Sequence, residues 1–127
     1  MGTVCTAERL GMNSEQHTEW HSRDGSVTIT LNELLNCARA VSVTSMPLDA
    51  LQECVLDWQG DPEEWARVNS VDMRDPILVL VVDGCVERII DGNHRVQRAR
   101  QLGWHEIRAR AIELKRLPRE YTQVFGW

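Results

Sequence analysis

Long apolar runs are missing from this chain: none of its 127 residues belongs to a stretch near the ~20 apolar residues that a helical membrane span needs. The first residues, Met1-Gly2-Thr3-Val4-Cys5-Thr6-Ala7-Glu8-Arg9, lack the basic-then-apolar order of a secretory leader. Four cysteines stand apart at positions 5, 37, 54 and 85, with no Cys-x-x-Cys pair among them. A reduced, cytoplasmic protein without membrane attachment is therefore the expectation. Aromatics are few, with one Tyr and one Phe. The basic C-terminal part has only Trp104, Tyr121, Phe125 and Trp127, which weakens any platform for stacking single-stranded bases. No repeat and no low-complexity segment is present. What remains is a chain about one domain long with a single modest core.

Charge is divided along the sequence. Residues 1–87 carry 5 Lys/Arg against 15 Asp/Glu, whereas residues 88–127 carry 9 against 4, so an acidic front of −10 joins a basic back of +5. A polyanionic ligand, nucleotide or DNA, would meet its positive field in the back half. Intramolecular neutralisation of one half by the other accounts for the same asymmetry.

Residues 1–25 are polar and aperiodic and read as a flexible N-terminal arm. Residues 26–31 alternate and are β-branched, which predicts a strand. Asn32 then offers an N-cap for a short helix with Leu34, Leu35, Ala38 and Val41 inward, and residues 41–44 form a second short strand or a link. Leu48, Leu51, Cys54, Val55 and Trp58 fall at helical spacing behind Pro47. Gly60-Asp61-Pro62-Glu63-Glu64 stops that helix and starts another, with Asp61 as cap, Pro62 in the first turn, and Trp65 and Val68 inward. Ile77 to Val82 is continuously apolar and reads as a strand buried on both faces. Asp83-Gly84 predicts a tight hairpin into a strand that ends at Ile90. Val96, Ala99 and Leu102 line the inner side of the next helix, Gln97 and Arg98 lie on its surface, and Gly103 ends it. Residues 107–112 alternate with Arg108 and Arg110 as a last strand, and residues 113–127 form a helical tail. The predicted fold is α+β: a small mixed sheet with helices packed around it, spanning residues 26–112.

The most informative stretch is Asp91-Gly92-Asn93-His94-Arg95, between a strand and a helix. A glycine loop that opens a helix presents backbone N–H groups and the positive end of the helix dipole. Such a corner suits an anion, and here it also carries an imidazole and a guanidinium, so phosphate binding is the chemistry expected. His94 adds a group able to donate to a phosphoryl oxygen or move a proton. The bland reading of His94-Arg95 is an exposed helix-start pair, and that of Asp91 is an ordinary turn aspartate. The basic residues Arg88, Arg98, Arg108, Arg110, Lys115, Arg116 and Arg119 either track a nucleic-acid backbone or form a solvated face. His17 and His21, with Glu19 and Cys5 nearby, suggest zinc only weakly, since the order of a metalloprotease helix is absent.

Asp75-Pro76-Ile77-Leu78-Val79, then Val86 through Arg95, then Ala99-Arg100-Gln101-Leu102-Gly103 resembles the ParB N-terminal/sulfiredoxin superfamily over roughly residues 45–112, most specifically at 75–103. The resemblance implies that the loop-to-helix corner holds the phosphates of a nucleoside triphosphate, ATP or CTP, often with Mg2+. Carried over by position, Gly92 lets the backbone approach the phosphates, Asn93 and His94 occupy a variable pair, and Arg95 meets the phosphates. Arg98 is added to the nucleotide-binding set, and Asp91 stands where it would hold a magnesium-bound water or the loop.

Departures narrow the family. Sulfiredoxin has a reactive cysteine where this chain has Asn93, and an amide cannot form the intermediates a thiolate forms. Partition ParB proteins have one more arginine in the motif and a downstream DNA-reading domain, for which the 15 residues after Ile112 are too few. Asp-Gly-Asn-His-Arg is closest to the Asp-Gly-His-His-Arg of ParB-like nuclease and free-serine-kinase-like members. Residues 56–72, with Trp58 and Trp65, are longer than the usual link and read as an insert: a lid, a specificity element or a homodimer surface. The expected function is a nucleotide-binding module acting with DNA as an NTPase or nuclease, with Asp91 and His94 as its catalytic pair. The alternatives are a small-molecule phosphotransferase, whose base would come from Glu33, Asp75 or Asp91, and a non-catalytic interaction module.

Overall fold

The computed structural model describes residues 18–56 and 58–125. Its larger sheet has four strands in the order β3-β6-β4-β5: β3 (Thr44–Pro47), β4 (Ile77–Val82), β5 (Cys85–Asp91) and β6 (Glu106–Glu113). β4 pairs parallel with β6 and antiparallel with β5, and β3 pairs antiparallel with β6, so the sheet is mixed as expected. A two-stranded ribbon joins β1 (Glu19–His21) to β2 (Thr28–Thr30). The α-helices are α1 (Leu31–Ala38), α2 (Pro62–Ser70), α3 (Asn93–Gln101) and α4 (Arg119–Thr122). The protein is therefore α+β. No helix among the described residues is long and apolar enough to cross a membrane.

β4 explains the layering. Its period of two sends Leu78 and Leu80 to one side, where they meet Trp20, Leu34, Leu114 and Phe125. Ile77, Val79 and Val81 go to the other side, against Leu51, Val96 and Ala99. Helix α1 and the C-terminal segment thus cover one face of the sheet, and α3 covers the other. Both faces of β4 are dry, as its unbroken apolar run predicts. The hairpin also forms as expected: Asp83 and Gly84 both have positive φ, 51° and 81°, the backbone a two-residue turn needs.

Several elements differ from expectation for identifiable reasons. Helix α1 is capped by Thr30, not Asn32: its hydroxyl accepts from Glu33 N while Glu33 accepts from Thr30 N, a reciprocal box that outcompetes a cap two residues later. Leu35 points 37% exposed, because Leu34 and Ala38 already occupy the inward stripe. The segment Leu48–Cys54 is a 3-10 helix, not an α-helix. Its buried residues Leu48, Leu51 and Cys54 recur every three residues, the 3-10 period, and Val55 leaves the helix. Leu102 is 47% exposed, because α3 stops at Gln101 in a left-handed turn at Gly103. There Gly103 N donates to Arg100 O and Trp104 N to Ala99 O. Gln97, expected on the surface, is buried.

The C-terminal segment is part of the core, with Leu114, Leu117 and Phe125 all buried. Trp20, from the end of the expected arm, is buried with them; residues 1–17 of that arm lie outside the described residues. So do Cys5 and His17 of the weak zinc constellation, while His21 bonds Thr28 Oγ1 at 2.8 Å. Cys37 is half-buried, and Cys54 is buried with its Sγ 3.8 Å from Val86 O.

Candidate anion-binding corner at the start of α3

β5 ends at Asp91, Gly92 turns the chain, and α3 begins at Asn93. Gly92 has φ +107°, and Val96 N donates to Gly92 O at 3.0 Å to close the first helical turn. Gly92, at the cap position, has no side chain with which to cap the helix. The Gly92 backbone lies so close to β4 that an added Cβ would stand 2.5 Å from Ile77 Cγ2. Packing against Ile77 and the left-handed backbone thus require glycine here before any ligand is considered.

Arg95 is turned inward. Its Nη1 donates to the carbonyl oxygens of Asp75 and Pro76, each at 2.9 Å, and its Nη2 to Asp91 Oδ2 at 3.2 Å. The guanidinium therefore ties the loop to the link that leads into β4, and only 11% of the side chain is exposed. Asn93 is buried at 5% exposure. Arg98, one turn beyond Arg95 on α3, places its Nη1 on Gln101 Oε1 at 3.3 Å.

The surroundings of His94 come from the 56–72 insert. Its Nε2 lies 2.9 Å from Glu64 Oε2 on α2, and both side chains are 20% exposed. The Trp58 ring stacks on the imidazole at 4.4 Å between centroids and 23° between planes. Trp58 is itself 2% exposed, and its carbonyl oxygen accepts from Trp65 Nε1 at 2.9 Å. Gln97 Nε2 reaches back to Leu56 O at 2.9 Å. Glu64, Trp58 and Gln97 were not singled out for the site from the sequence. The i to i+30 spacing of Glu64 and His94 has no local pattern; only the insert's two tryptophans hinted that it covers something.

Other candidates are held elsewhere. Glu33 sits on α1, across the sheet from α3, and accepts from Tyr121 Oη at 2.8 Å. Asp91 is ion-paired with Arg95. Among the described residues no group of three or more His, Cys, Asp or Glu is placed to hold a metal. Three of the basic residues are engaged within the fold. Arg88 is paired with Glu87 and lies 4.8 Å above the Phe125 ring, while Arg108 and Arg110 donate to the carbonyl oxygens of Arg74 and Val41.

No family model matches the chain, and no curated protein matches it. Among solved structures, sulfiredoxin from Arabidopsis thaliana is similar at 22% identity and a TM-score of 0.38, over 57% of this chain and 85% of that one. A similarity of this order transfers no activity.

Proposed function

We propose that this chain binds a nucleoside triphosphate, ATP or CTP, by its phosphates at the N-terminal corner of α3, with His94 as the side chain that meets them. The observation that carries the reading is the placement of His94. It stands in the first turn of α3, just after a left-handed glycine that has no side chain to cap the helix, with its ring against Trp58 and Glu64. Helix dipole and first-turn N–H groups favour an anion there, and an imidazole adds a hydrogen-bond donor. Gly92, Asn93 and the His94 amide would form the cradle. Arg95 acts one step back, holding the loop in shape through Asp75, Pro76 and Asp91.

Nucleotide rather than nucleic acid is the ligand favoured, because Arg88, Arg108 and Arg110 are engaged within the fold. The test is calorimetric titration with ATP and CTP, with and without Mg2+, on the wild type and His94→Ala. Loss of one charge-assisted contact of roughly 1.5–3 kcal/mol should weaken binding by about ten-fold or more. Equal affinity in the two proteins would sink the assignment.

A further inference from the structure

We infer that α2 gates this corner: the Glu64 carboxylate occupies the imidazole as an internal anion and must leave it before a phosphate can bind there. The gate rests on the reading of α3 as a phosphate corner. Glu64 divides its oxygens between two donors, Oε2 on His94 Nε2 and Oε1 on Arg67 Nη1, each at 2.9 Å. A phosphoryl oxygen approaching His94 asks for the same N–H that Glu64 holds. It also meets a carboxylate of its own sign at close range, where protein surroundings screen poorly. Removing that carboxylate would release two donors at once, the imidazole and the Arg67 guanidinium.

The helix that carries the carboxylate is lightly anchored. Val68 is its only buried residue, and Trp65 is half-buried with its Nε1 on Trp58 O. Displacing α2 therefore exposes little apolar surface, as a local opening requires. Trp58 stacks on the imidazole as a second contact to the ring, beside the Glu64 hydrogen bond. α2 is then the closed lid, and the hydrogen bond from His94 to Glu64 is its latch.

The experiment titrates the full chain with inorganic triphosphate at low ionic strength, comparing wild type with Glu64→Gln and Glu64→Ala. The first variant keeps the side chain's shape without its charge; the second removes the group, in case the amide forms a latch of its own. Roughly ten-fold tighter binding in either variant, about 1.4 kcal/mol, is the expected result. A gain of this kind cannot arise from misfolding. Binding that is equal to or weaker than wild type in both variants overturns the gate and leaves the phosphate corner standing. Binding by none of the three proteins overturns the corner and the gate together.

Discussion

Ile77 and Gly92 touch where β4 passes under the turn into α3: a methyl group on Gly92 would stand 2.5 Å from Ile77 Cγ2 and 2.9 Å from its Cβ. The turn is also left-handed, at φ +107°. Gly92→Ala thus combines a disfavoured backbone with overpacking and should lower stability by roughly 2–4 kcal/mol. Urea denaturation measures this without any ligand. A loss well under ~1 kcal/mol would mean that the turn relaxes freely.

Arg95 is a clamp in this fold, so its loss should be felt by the apo protein. Arg95→Ala removes charge-assisted bonds to two carbonyl oxygens and a carboxylate. The expected cost is about 2–3 kcal/mol. Arg95→Lys should rescue little, because a single ammonium cannot span the carbonyls of Asp75 and Pro76 and the Asp91 carboxylate as the planar fork does. Thermal melts that showed full rescue by lysine would refute the clamp.

Tyr121 and Glu33 join α4 to α1, and their pairing has a pH signature. The Tyr121 hydroxyl, then the Thr30 cap, holds the Glu33 carboxyl below its ordinary 4.5. The Glu33 carboxylate in turn raises the Tyr121 hydroxyl above its usual 10.0. A depressed carboxylate stabilises above its unfolded value and loses that contribution as pH falls through the folded one. A raised phenol stabilises below its unfolded value and loses its contribution as pH rises through the folded one. The melting-temperature difference between wild type and Tyr121→Phe should therefore be flat at neutral pH and narrow at both the acid and the alkaline ends. A difference that stayed constant well below pH 4.5 would contradict the pairing.

The helix-start box at Thr30 makes a local prediction. Thr30→Ala removes the acceptor for Glu33 N and should cost roughly 1 kcal/mol, whereas Asn32→Ala should cost much less, since Asn32 lies inside the first turn. Equal losses in the two variants, read from denaturation midpoints, would return the cap to Asn32.

The α+β class, the doubly buried β4, the Asp83-Gly84 hairpin, the Asp61 cap of α2 and the strand–loop–helix corner were all legible in the residues. Each rests on local chemistry: side-chain period, a turn's φ requirement, or a cap's hydrogen bond. The 3-10 character of Leu48–Cys54 was harder, since spacings of three fit both helix types. Tertiary contact alone decided the rest. Gln97 is buried because Leu56 O, distant in sequence, needs a donor, and Arg95 faces inward because two strand-start carbonyls lie within its reach. Glu64 meets His94 because α2 packs beside α3. A sequence fixes periods and turns over a few residues, through backbone sterics that act locally. Which donor meets which acceptor across tens of residues depends on how the layers close, and in this protein that closure sets the chemistry open to His94.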